Sequence, residues 1–184
     1  MYYSGIDLHK DMSVITTINE NGVILSQSKV PNHEAPIITY FNQVSPLGAE
    51  HKAVVESTAN WYWLSDLLIG QGIDLTLAHA KYLKAISYAK VKTDKVDSHT
   101  LATLLRLDMV PEAHQISQNL RPIRDLMRAR LSLVVKKTSC RNSMHRLLAK
   151  YNLALPRYPK PSDFTSLRSK LLPEPRLQLS ILEE

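Results

Sequence analysis

The stretch Met12-Ser13-Val14-Ile15-Thr16-Thr17-Ile18-Asn19-Glu20-Asn21-Gly22-Val23-Ile24-Leu25-Ser26-Gln27-Ser28-Lys29-Val30 decides the fold. Two runs rich in apolar and β-branched residues, 12–18 and 23–30, flank Asn19-Glu20-Asn21-Gly22. Asn-Gly between such runs is a strong hairpin signal, because both residues tolerate the backbone that a tight turn requires. Residues 2–7 lead into the first run, so three strands are expected as an antiparallel meander. After Pro31 a helix is expected over 35–44. Ala53-Val54-Val55-Glu56 is a short continuous apolar run of the kind found in a strand buried on both faces. Trp61, Leu64, Leu67, Leu68 and Gln71 follow at helical spacing and stop at Gly72, a good terminator, before 73–78 alternates as a fifth strand.

A strand-helix-strand crossover makes its two strands parallel and right-handed. The expected fold class is therefore α/β, a mixed five-stranded sheet with flanking helices in the order of a ribonuclease-H-like domain, followed by a long basic helix. Fold order alone assigns no function. A further helix is expected over 95–107, with Asp97, Leu101, Leu104, Leu105 and Asp108 on one face. Residues 119–151 contain no glycine, and Pro122 falls in the first turn, where it is tolerated. A heptad frame puts Leu120, Met127, Val134, Arg141 and Leu148 at one seam position and Ile123, Arg130, Lys137, Met144 and Tyr151 at the other. Three central members are basic, so the helix can pair but carries a weak coiled-coil signal. Beyond 152 lie five of the ten prolines, and that tail is expected to be partly extended.

The chain has 184 residues, enough for one domain plus accessory structure. Its single cysteine, Cys140, excludes a disulfide scaffold. No basic start followed by an apolar run marks a signal peptide, and no apolar stretch is long enough to span a membrane, so the expected location is cytoplasmic. The net charge of +6 is unevenly placed. Residues 119–150 hold nine Lys/Arg against the single acid Asp125, whereas 1–118 are slightly acidic. A basic block of that density is the footprint of a polyanion, nucleic acid first. Arg121, Arg124, Arg128, Lys137 and Arg141 are its candidate contacts; a solvated helix face is the plainer alternative.

Four carboxylates fall where this sheet order brings them together. Asp7 ends the first strand, Glu56 ends the fourth, which should lie beside it, and Asp94 and Asp97 share one helix face at spacing i, i+3. Like charges repel by about 4 kcal/mol per pair at roughly 4 Å and an effective dielectric near 20, so such a cluster calls for a cation. Oxygen ligands without His or Cys suit Mg²⁺ or Mn²⁺, and paired ions of this kind serve phosphodiester chemistry. Taken singly, Asp7 also reads as a turn residue, Glu56 as a solvated strand end, and Asp94 with Asp97 as helix-cap acids. Lys81, Lys84, Lys90, Lys92 and Lys95 surround the acidic pair and are candidates for holding phosphates, Lys92 and Lys95 foremost; a solvated helix face explains them equally well. The seven histidines have no zinc spacing. Among Trp61, Tyr62 and Trp63, base stacking is conceivable, but the helical spacing of Trp61 assigns it to the core.

The segments Gly5-Ile6-Asp7-Leu8-His9-Lys10, Val54-Val55-Glu56-Ser57-Thr58-Ala59-Asn60-Trp61-Tyr62-Trp63 and Lys92-Thr93-Asp94-Lys95-Val96-Asp97-Ser98-His99-Thr100-Leu101-Ala102 resemble the three signature blocks of the DEDD transposases of insertion sequences, the IS one-ten family. That family includes Piv-type invertases and bridge-RNA-guided recombinases. The resemblance covers roughly 1–150 and implies a RuvC-like catalytic domain over 1–110, in which Asp7, Glu56, Asp94 and Asp97 form a metal-binding tetrad. It further implies a basic, coiled-coil-like connector over 111–151 and a truncated connector over 152–184. DNA is the implied partner, with a guide RNA in some relatives, and a homo-oligomer through the connector is expected. The nucleophilic serine of the family belongs to a further domain that is not expected within this chain, so no serine is nominated here. The expected activity is Mg²⁺-dependent phosphodiester chemistry in transposition by site-specific recombination. The rivals are a Holliday-junction resolvase acting through the acids alone and a non-catalytic nucleic-acid-binding fragment. A sugar-kinase or actin-like ATPase is disfavoured because Leu8-His9-Lys10 offers no glycine to bring backbone against phosphate.

Overall fold

In the computed structural model, which describes residues 1–46, 48–58, 60–86 and 93–183, β1 (Tyr2–Leu8), β2 (Met12–Asn19) and β3 (Ile24–Pro31) form the antiparallel meander expected from the hairpin signal. Gly22 takes φ 80° in the turn, and the Asn19 side-chain oxygen accepts hydrogen bonds from the Asn21 and Val23 amides at 3.0 and 2.9 Å. This local chemistry makes the turn specific. β4 (His51–Glu56) pairs parallel with β1, and β5 (Asp74–Ala78) pairs parallel with β4. The resulting order, β3-β2-β1-β4-β5, is a mixed sheet in a ribonuclease-H-like α/β arrangement.

On one face, α1 (Glu34–Val44) and α2 (Trp61–Gly70) cover Ile6, Leu8, Ile15 and Val55 with Ile37, Phe41, Trp61, Leu64 and Leu68. Trp61 thus belongs to the core. Ile6, Ile15, Val55, Leu64 and Leu68 are fully buried, and each such side chain contributes about 1.5–3 kcal/mol relative to exposure. The opposite face holds Val54 and Ala78 against Leu83 of the short α3 (Ala80–Ile86) and Leu101 and Leu104 of α4 (Asp94–Arg106). Ala53, Val54 and Val55 have no exposure, so β4 is buried on both faces as its apolar run predicts.

Gly5 is where α4 crosses β1. A Cβ there would press into the Ser98 carbonyl oxygen and the Ala102 amide nitrogen and stand 2.8 Å from Leu101 Cβ. Glycine is required for this close approach. The Thr16 and Ser98 hydroxyls share a 2.7 Å hydrogen bond beside it, which ties α4 to the neighbouring β2.

The chain divides into two compact units, Met1–Gln115 and Ile116–Glu184. The first extends past the expected boundary at 110 because the segment after α4 joins the sheet edge. His79 donates to the Pro111 carbonyl at 2.7 Å, Ala113 donates to Leu77 at 2.7 Å, and Ala78 bridges Glu112. In the second unit, α5 (Arg121–Ala149) is 29 residues long, about 43 Å at 1.5 Å per residue, and Pro122 occupies its first turn as expected.

The tail after 152 is not the extended segment that its prolines suggested. It contains α6 (Pro161–Ser169) and α7 (Pro173–Glu183), both of which open on proline, where the missing N–H is harmless. The Asp163 carboxylate accepts from the Lys160 amide at 2.7 Å, closing the start of α6. Phe164, Leu167, Leu171 and Leu179 then pack with Met144, Leu147 and Leu148 in one buried cluster. Among the described residues, no helix is long and apolar enough to cross a membrane.

Candidate functional site

Ile6 of β1 stands opposite Val55 of β4, so the next residue along each strand, Asp7 and Glu56, reaches the same carboxyl edge of the sheet. Strand alternation places both on the face of Gly5 and Val54, the face covered by α4. The side chain of Thr93 caps α4, accepting from the Val96 amide at 3.3 Å. Asp94 and Asp97 fall in the first turn, where the helix dipole favours negative charge. All four acids line one cleft of about 850 Å³, which Lys84 of α3 also borders.

Asp7 and Asp97 are half-buried, as is Glu56, whereas Asp94 is exposed. Burial raises the Asp7 carboxyl above its ordinary range; His9 opposes this, and the charges of Asp94 and Asp97 push it further up. The charges of Asp94 and Asp97 thus reach Asp7, a repulsion that a bound cation would relieve. The closest cluster of ligand atoms comprises Asp7, Asp94 and His9, mutually within 4.8 Å. His9 Nε2 lies 3.1 Å from Asp7 Oδ2 and 3.5 Å from Asp94 Oδ2. Asp97 and Glu56 line the same cleft without joining this closest group.

In the sequence His9 is one of seven histidines without metal-ligand spacing among themselves, so their pattern does not mark it as a ligand there. The available signal was its spacing from Asp7, which places i and i+2 on one side of a strand. The donor set of carboxylates with one imidazole fits a divalent cation.

The candidate nucleic-acid contacts separate more widely. Arg128 and Lys137 are exposed on α5, and Arg124 is half-buried with a 3.8 Å ion pair to Asp125. Arg121 corrects the expectation for it: the residue is 8% exposed, and its Nε donates to the Ile116 carbonyl at 3.3 Å. It fastens the start of α5, because a buried guanidinium must be satisfied internally. Arg141 is half-buried, and its Nη2 donates to the Arg157 carbonyl at 2.5 Å. Lys95 is exposed at the start of α4, while Lys90 and Lys92 lie outside the described residues.

In a ribonuclease-H-like domain, two acids at the carboxyl edge of the sheet, Asp7 and Glu56, thus share one cleft with two in the first turn of α4, Asp94 and Asp97. The family model of the DEDD transposases of the IS110 type, described as a transposase, matches residues 4–153, and the chain belongs to that family. It is thereby a transposase, of a family that acts on DNA and generally uses divalent metal ions. Among curated proteins, none matches the chain.

Proposed function

We propose that Asp7, Glu56, Asp94 and Asp97 hold Mg²⁺ or Mn²⁺ in the cleft beside α4 and that the chain supplies these catalytic acids for DNA phosphodiester chemistry during transposition by site-specific recombination in the cytoplasm. The observation that carries this reading is the convergence of all four acids on one cleft, with Asp7 raised by burial and by Asp94 and Asp97. When bound, such an ion polarises a phosphoryl oxygen and offsets the charge that develops on it. The residues of the chain supply the rest. The carboxylates fix the position of the ion, the first turn of α4 presents Asp94 and Asp97 to it, and Lys84 offers an ammonium to a neighbouring phosphate. On α5, Arg124, Arg128 and Lys137 hold the DNA backbone without reading sequence. The exposed seam residues Ile123, Met127 and Val134 support pairing of α5 with a second copy.

Thermal melting with and without divalent ion tests the acids. At 10 mM Mg²⁺ and a dissociation constant near 1 mM, stabilisation is about 1.4 kcal/mol, or roughly 3–6 °C for a chain of this size. Changing Asp7 and Asp97 together to Asn should abolish that rise and, without metal, leave the protein at least as stable as before. A double variant that keeps the full rise would overturn the assignment.

A further inference from the structure

The turn after β1 brings an imidazole into the acid cleft, and this changes which ion the cleft suits. From the geometry of Asp7, His9 and Asp94 we propose that His9 Nε2 is a ligand of the centre and makes it selective for a first-row transition ion, Mn²⁺ before Mg²⁺. The proposal rests on the reading of the acids as metal ligands and goes further in naming a nitrogen donor and its consequence.

Three observations carry it. The first is spacing: Nε2 is 3.1 Å from Asp7 Oδ2 and 3.5 Å from Asp94 Oδ2. Ligands about 2.0–2.2 Å from one ion, at octahedral or tetrahedral angles, stand roughly 2.8–3.6 Å from each other, so Nε2 lies at ligand spacing from each carboxylate oxygen, and the three ligand atoms fall within 4.8 Å of one another.

The second is direction. His9 and Asp7 are i and i+2 along β1 and its continuation, and Asp94 comes from the first turn of α4, so two separate elements converge on one point.

The third is that the turn is held. Asn60 Nδ2 and Asn32 Nδ2 donate to the His9 carbonyl at 2.8 and 2.9 Å, and Asn32 Nδ2 also donates to the Lys10 carbonyl at 3.1 Å. Ser13 Oγ in turn donates to Asn32 Oδ1 at 2.6 Å. Two amides from different parts of the chain thus fix the backbone that presents the imidazole, the arrangement expected of a positioned ligand rather than a free surface histidine. Asn60 belongs to the same sequence block as Glu56, so this block contributes both an acid and a support for His9.

The chemistry follows from ligand softness. Mg²⁺ prefers an all-oxygen, largely hydrated shell, whereas imidazole suits the later first-row ions, and Mn²⁺, at the head of that series, accepts a nitrogen donor more readily than Mg²⁺ does. All-carboxylate sites already favour Mn²⁺ somewhat, so the property that tests His9 is the change in the Mn²⁺ to Mg²⁺ ratio when the imidazole is removed.

The full chain and its His9→Ala variant are titrated with Mn²⁺, free ion being read by electron paramagnetic resonance, and Mg²⁺ affinity is read by competition. Co²⁺ visible absorption reports the nitrogen ligand directly. The expected result is a loss of about tenfold or more in Mn²⁺ affinity with Mg²⁺ affinity changed by less than about twofold, and a shifted Co²⁺ spectrum. Equal losses for both ions, or none, would overturn the proposal while leaving the acids as ligands. A gain in Mg²⁺ affinity would also overturn it, since His9 would then be a counter-charge that the ion displaces. Wild-type chain that binds neither ion would remove the reading of the acids along with it. Circular dichroism in EDTA checks the fold, and should the alanine variant melt low, His9→Gln, which keeps the size but not the imidazole, must give the same loss of selectivity.

Discussion

Replacing Gly5 by alanine tests the contact that assembles the cleft, since Gly5 lies two residues before Asp7 on the same face of β1. The added methyl would collide with the Ser98 carbonyl oxygen and the Ala102 amide nitrogen and approach Leu101 Cβ to 2.8 Å. Two of these three neighbours are helix backbone, which has no rotamer to change, so α4 must retreat from the sheet by roughly 1 Å to restore ordinary contact. Overpacking of this kind costs about 1–3 kcal/mol, and the upper end applies where backbone is struck. For a unit of about a hundred residues, 3 kcal/mol lowers the melting temperature by roughly 12 °C. The retreating helix carries Asp94 and Asp97 away from Asp7, beyond the ~0.5 Å tolerance of a metal site, so Mn²⁺ affinity should fall with stability. Gly70→Ala is the control, because nothing lies within 4 Å of a Cβ at that position near the end of α2, and its melting temperature should hold or rise. Calorimetry of both variants with a Mn²⁺ titration decides the matter. A Gly5→Ala chain that melts and binds Mn²⁺ like the wild type would refute the close packing of α4 on β1.

His51, 5% exposed and bonded through Nε2 to Ser4 Oγ at 2.8 Å, is held neutral by burial with its pKa lowered from 6.5 to about 4. The unfolded chain takes up the proton first as pH falls, so stability is intact above about pH 6.5 and is lost from there down to about pH 4, roughly 2 kcal/mol of it by pH 5. Denaturant melts at pH 7.5 and 5 should show a smaller loss for His51→Gln, and equal losses would contradict the burial argument. Changing Arg124, Arg128 and Lys137 together to Gln should reduce the slope of log affinity against log salt on duplex DNA by about 2–3, read by fluorescence anisotropy at several salt concentrations; an unaltered slope would make α5 a solvated face. Phe164→Ala should destabilise the helices after 152 by about 3–5 kcal/mol and open them to limited proteolysis, whereas unchanged resistance would restore the extended tail.

Much of the first unit was legible because its signals are local. The Asn-Gly turn, the apolar run of β4 and the helical spacing from Trp61 to its stop at Gly72 each specify one element by short-range chemistry, and the right-handed crossover rule orders the strands. The four acids were legible for the same reason, lying at element ends that the order brings to one edge. What escaped depends on contacts distant in sequence or on position within an element. The pairing of 111–113 with β5 has no local signature, so the reach of the first unit to Gln115 is not legible in the sequence. The place of the tail prolines matters more than their number, since Pro161 and Pro173 stand at helix starts, and the spacing of Phe164, Leu167 and Leu171 is the better guide. Arg121 reads as a surface cation in the sequence, and its burial against the Ile116 carbonyl is a property of the fold. His9 acquires significance only when α4 brings Asp94 to it.

The central claim is that Asp7, Glu56, Asp94 and Asp97 hold a divalent ion in the cleft beside α4. Anomalous diffraction from crystals grown with Mn²⁺ measures this most directly. An anomalous peak is expected about 2.0–2.4 Å from carboxylate oxygens of Asp7 and Asp94, lost when both become Asn. A cleft without a peak at millimolar Mn²⁺, or a peak bound elsewhere in the chain and indifferent to those substitutions, would contradict it.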